Sequence, residues 1–113
     1  MLEAAALALA FKAALIAPTH RPRVNRPWPI AIHAVDGRGR GVCARLTMRL
    51  LVAGVPVGKV DDGKVWRFCG TWREPEGEEI EFPPESRGHR LTFQALVTRR
   101  GRTVKLNYWV EPR

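Results

Sequence analysis

Serine, asparagine and glutamine are nearly missing from this chain. Its 113 residues include one serine (Ser86), one glutamine (Gln94) and two asparagines (Asn25 and Asn107). Ser86 lacks the Gly-x-Ser-x-Gly elbow and sits in a turn, so serine-nucleophile chemistry has no foothold. Cysteine is equally scarce. Cys43 and Cys69 cannot build a disulfide framework, and no Cys-x-x-Cys spacing offers a zinc or redox motif. His20, His33 and His89 lie too far apart for a local metal motif, and a Cys69–His89 pair rests on composition alone. Asp61-Asp62-Gly63 reads as a turn before it reads as a calcium loop. Gly37-Arg38-Gly39-Arg40-Gly41 precedes a strand, whereas a dinucleotide-binding loop opens a helix. The expectation is a non-enzymatic protein with no metal and no cofactor.

Positive charge is abundant. The formal net charge is +8, and arginine dominates the 19 basic residues. Such a balance favours anionic partners, while GC-rich coding that replaces lysine by arginine would leave the same excess as solvated surface. Arg99, Arg100, Arg102 and Lys105 crowd one turn, and Trp109 lies beside them on an outward phase, placed to stack on a ligand or to cover a sheet edge. Glu74, Glu76, Glu78, Glu79, Glu81 and Glu85 gather in another segment. An acidic loop and a basic hairpin on one domain would also support head-to-tail self-association.

Hydrophobic residues make up 45% of the chain, enough for one modest core at this length. From residue 28 onward they fall at every second position. Leu91, Phe93, Ala95 and Val97 alternate with Thr92, Gln94 and Thr98; after a turn at Arg99-Arg100-Gly101-Arg102, Val104, Leu106, Tyr108 and Val110 resume the period. Period two marks half-buried strands. About seven are predicted, over 28–35 (Ile30, Ile32 and Ala34 inward), 42–52, 55–60, 64–73, 79–82, 90–98 and 103–110. Cys43 shares the polar phase of Arg45, Thr47 and Arg49, and Cys69 that of Arg67, Thr71 and Arg73. Both thiols are therefore expected on the outward face, free unless the two strands are neighbours, in which case they would form a cross-strand disulfide.

Residues 1–17 are rich in alanine and leucine and end at Pro18, a composition that predicts an apolar helix for targeting, anchoring or docking. The stretch is shorter than the roughly 20 residues needed to span a bilayer, and Glu3 replaces the positive start of a signal peptide. Residues 18–27, with Arg21, Arg23 and Arg26 among prolines, predict a basic extended linker. The sandwich is expected over 28–113.

The pattern resembles bacterial immunoglobulin-like or fibronectin-like modules. The resemblance rests on the Pro-marked first strand, the turn Val35-Asp36-Gly37-Arg38-Gly39, the corner Phe82-Pro83-Pro84-Glu85-Ser86-Arg87-Gly88 and the closing hairpin around Gly101-Arg102-Thr103. It covers about 85 residues and implies a single all-β, Ig-like antiparallel sandwich. Antibody-type domains have inward cysteines on the second and sixth strands; here Cys43 is outward and the sixth strand has none. Modules of this kind stand on secreted, cell-surface and virion proteins as spacers or adhesive units. The functional expectation is a surface-exposed binding or spacer module, membrane-associated or extracellular. Its partner would be a protein, a second copy or an anionic polymer, with membrane contact through residues 1–17. The alternatives are a virion decoration or tail subunit docked through its N-terminal helix and arm, and a basic nucleic-acid binder.

Overall fold

The computed structural model describes residues 10–113. Eight strands form two antiparallel sheets: β1 (Phe11–Ile16), β2 (Ala31–Asp36), β3 (Cys43–Val52), β4 (Val55–Lys59), β5 (Trp66–Cys69), β6 (Thr71–Arg73), β7 (Leu91–Arg99) and β8 (Arg102–Val110). The first sheet has the order β1-β2-β6. The second has the order β4-β3-β7-β8, with β5 paired to β3 as its fifth strand. The alternation of period two explains the core between them. Ile32 and Ala34 of β2, Leu46 and Met48 of β3, and Phe93, Ala95 and Val97 of β7 are all buried. The Trp28 ring packs edge-on against Phe82 and Phe93, with centroids 5.4 and 5.2 Å away.

The predicted N-terminal helix is corrected where the structure describes it. Residues 11–16 are strand β1, paired with β2 from Phe11↔Asp36 to Ile16↔Ala31; residues 1–9 lie outside the described part. Helix propensity is worth only tenths of a kcal/mol per residue. Pairing with β2 supplies a complete backbone ladder and buries Phe11, and that outweighs propensity. Among the described residues no helix is long and apolar enough to cross a membrane.

The predicted linker is also more than a linker. The Trp28 indole Nε1 donates to the Thr19 carbonyl (2.9 Å). Glu111 N donates to His20 O, Arg113 N to Pro22 O and Val24 N to Arg113 O, at 2.8–3.0 Å. The arm is extended, as its prolines require, but it runs parallel to the residues that follow β8 and covers that edge.

The strand expected over 64–73 divides at Gly70, whose φ of +76° turns the chain from one sheet to the other. The strand expected over 79–82 is reduced to the bridge Pro27↔Glu81 and hydrogen bonds from Trp28 N to Ile80 O and Asn25 N to Phe82 O.

Candidate anion-binding surface

Charge is segregated by sheet. No strand of the five-stranded sheet contains an aspartate or glutamate, yet those strands hold Arg45, Arg49, Lys59, Arg67, Arg99, Arg102 and Lys105. The acids of the described chain lie at Asp36, at Asp61-Asp62, in the 74–85 segment and at Glu111. Among the described residues the ion pairs are Lys64–Glu78 (3.8 Å) and Arg90–Glu111 (3.4 Å), so none of the sheet's own cations is neutralised by a carboxylate.

The strand register sharpens this. Arg45 is directly opposite Arg67, Arg49 is opposite Lys59, and Arg99 is opposite Arg102. Like charges in directly opposed positions destabilise a sheet, by an amount on the order of the 0.2–1 kcal/mol that favourable pairs contribute. Arg45–Arg67 and Arg49–Lys59 share the outward face with no acid between them, a surface that gains from an external anion. Arg99 and Arg102 instead continue the inward phase of Val97 and Val104 at the hairpin end of the sheet.

The densest part is a groove of about 410 Å³ at the end of the sheet, lined by Arg45, Arg67, Arg99 and Arg100 around Cys43 and Cys69. The two cysteines are opposite one another in the β3–β5 ladder, and their sulfurs are joined in a disulfide. Both are exposed. The bond leaves no thiolate at Cys69 for a pairing with His89. The corner behind the groove is tight: a Cβ on Gly41 would stand 3.0 Å from Gly70 Cα, so the chain crossing between sheets favours glycine at residue 41. The Arg99 guanidinium Nη1 donates to the Cys43 carbonyl (3.0 Å), while its Nε is buried with no acceptor among the described residues. Arg100 tops the β7–β8 hairpin at φ +48° beside Gly101 at +78°.

Across the outer face, Arg49 Nε donates to Gln94 Oε1 (2.7 Å), and Gln94 Nε2 donates to Asn107 Oδ1 (2.8 Å). This relay fixes Arg49 over three strands and explains why Gln94, on the outward phase, is only 6% exposed. Lys105 stands exposed on β8 opposite Leu96.

Of the predicted interaction residues, Arg99 and Arg100 join this groove, whereas Arg102 and Lys105 lie beside it on β8. Arg23 and Arg26 help line a second groove of about 360 Å³ with Arg87 and Arg113, at the other end of the β7–β8 hairpin. Arg21 is exposed outside both grooves, its carbonyl accepting from Arg113 Nε at 3.4 Å. Trp109 is 38% exposed but occupied: His20 stacks at 4.0 Å and the Arg90 guanidinium lies 4.3 Å from its ring. It covers the edge.

The acidic segment also divides. Glu74 is half-buried and accepts backbone N–H groups from Ile30 (3.0 Å, Oε1) and Ile80 (2.8 Å, Oε2). Burial raises its pKa above the ordinary carboxylate value, outweighing those two bonds, which lower it. Glu74 is therefore a structural brace. In contrast, backbone N–H groups of Arg40 and Arg38 lower the pKa of Asp36 at its turn.

Arg45 and Arg67 were missed as site residues by sequence reasoning. A signal existed, since each shares the polar phase of a cysteine, but strand phase does not reveal which strands are neighbours. No protein-family model, no curated protein and no solved structure matches this chain.

Proposed function

We propose that this chain is an immunoglobulin-like, non-enzymatic binding module, exported or displayed at a cell surface, that holds a linear polyanion against its five-stranded sheet. The observation that carries the reading is the sheet's charge: like-charged pairs stand opposite one another with no carboxylate on any of its strands. The strand orders β1-β2-β6 and β4-β3-β7-β8 support the immunoglobulin-like assignment, since they follow the A-B-E and C′-C-F-G sequence of such sandwiches. An exposed disulfide supports an oxidising location, where such bonds persist. Arginine-lined grooves at the two ends of a hairpin with nine-residue strands, about 30 Å apart at ~3.4 Å per residue, suit a polymer better than a small ligand. A second copy is the weaker partner, because two chains at +8 repel and Glu74 is committed internally.

The test is retention of the full chain on an immobilised polyanion, eluted with salt. Arg49→Glu with Lys105→Glu should abolish retention, and Glu79→Gln with Glu81→Gln should leave it unchanged. Self-association that depends on protein concentration and disappears on neutralising the Glu segment would replace the polyanion with a second copy.

A further inference from the structure

We infer that the groove around the Cys43–Cys69 disulfide is a site for one tetrahedral oxyanion, a sulfate or phosphate ester carried by an acidic glycan. The inference rests on the polyanion reading and narrows it to a ligand class and a place.

Arg45 and Arg67 are held directly opposite each other, one same-face step from the disulfide, so the covalent bond keeps β5 on β3 despite the repulsion. Their guanidinium groups approach from two strands, and Arg99 and Arg100 close the groove from the hairpin. A carboxylate has two coplanar oxygens, which one arginine fork satisfies. A tetrahedral ester oxyanion presents oxygens in diverging directions, which suits donors arriving from two strands and a hairpin. Arg99 donates through Nη1 to the Cys43 carbonyl (3.0 Å), which holds its guanidinium at the groove wall. The groove volume of about 410 Å³ falls within the ~300–1,000 Å³ typical of small-ligand pockets.

A glycan is favoured over a nucleic acid because the groove has no stacking platform. Single-stranded nucleic acids are gripped through bases stacked on exposed aromatics. Here the aromatic side chain lining the groove is Phe68, which is buried in the core, and Trp109 is already covered by His20 and Arg90.

The experiment titrates the oxidised full chain with glucose 6-sulfate, glucose 6-phosphate and glucuronate, followed through the arginine Nε–Hε signals. A sulfated heparin oligosaccharide and an oligothymidylate are titrated in parallel. Both esters should shift the same arginine signals, with glucuronate at least about tenfold weaker, and the tighter ester identifies which modification the glycan carries. Arg45→Gln with Arg67→Gln should lower ester affinity at least about tenfold, the loss expected for removed charge-assisted hydrogen bonds. Lys12→Gln with Arg73→Gln, both on the three-stranded sheet, should leave ester affinity within about twofold.

Equal binding of glucuronate, or unchanged ester affinity in the Arg45/Arg67 variant, overturns the site. If that variant also keeps its heparin affinity while Arg49→Glu with Lys105→Glu loses it, the polyanion reading stands and only the site falls. Ester binding in the groove without heparin binding would keep the site and remove the polymer. Oligothymidylate binding more tightly than the sulfated oligosaccharide would overturn the glycan assignment.

Discussion

Arg45 on β3 and Arg67 on β5 face each other across an antiparallel ladder, on the same-face pair next to the Cys43–Cys69 disulfide. Sheet stability alone would place opposite charges there. Arg67→Glu should therefore stabilise the fold, by roughly 0.2–1 kcal/mol, while weakening retention on a polyanion. Urea denaturation checks the first effect and salt elution the second. A variant that is both less stable and equally well retained would mean that the pair serves packing instead of binding.

Arg100 makes a related compromise. With Gly101 it occupies a two-residue hairpin turn in which both φ angles are positive, a position that favours asparagine over arginine. Arg100→Asn should raise stability by ~0.5–1 kcal/mol and lower affinity for an anionic ligand. Thermal melts and ligand titration of the same protein sample separate the two.

The disulfide joins residues 26 apart in sequence. Replacing both cysteines (Cys43→Ser with Cys69→Ser) should cost about 3–4 kcal/mol by the loop-closure relation. The domain should remain β-rich by circular dichroism, because the core does not include either cysteine. Binding of the esters should weaken as well, since nothing covalent then opposes the Arg45–Arg67 repulsion.

Two carboxylates act on pH stability with opposite sign. Glu74 has its pKa raised in the folded state. Between its ordinary value, 4.5, and the raised one, the fold holds a proton that the unfolded chain has lost, so stability falls as pH rises through that interval. Asp36 has its pKa lowered, so its contribution is present above the ordinary value, 3.8, and is lost as pH falls through the lowered one. Glu74→Gln should remove the first slope. It should also cost roughly 1–3 kcal/mol, because an amide NH₂ leaves one backbone N–H of Ile30 or Ile80 without an acceptor. Urea midpoints measured at several pH values check both effects.

Much of the sheet architecture was legible. Alternation placed Ile32, Ala34, Leu46, Phe93 and Val97 in the core, because a half-buried strand writes its inward face into the sequence at period two. Residues 11–16 were not legible, since alanine and leucine favour helix locally and only the pairing partner β2 decides otherwise. The site was half legible. The basic hairpin is local in sequence, so Arg99 and Arg100 stood out. Arg45, Arg67 and the disulfide depend on which strand lies beside β3, and that is set by the turn at Gly70 and the crossing at Gly41, not by the composition of either strand.

The most direct measurement of the central claim is the salt dependence of binding to a sulfated oligosaccharide, for the native chain and for a variant in which Arg45, Arg49, Arg67 and Lys105 are all replaced by glutamine. Affinity of the native chain should fall linearly on a log–log plot as salt rises, as counterions displaced from the polyanion come to compete, and the variant should bind weakly with a much flatter slope. Native binding that ignores salt, or a variant with undiminished affinity and slope, would contradict the assignment of this sheet as the binding surface.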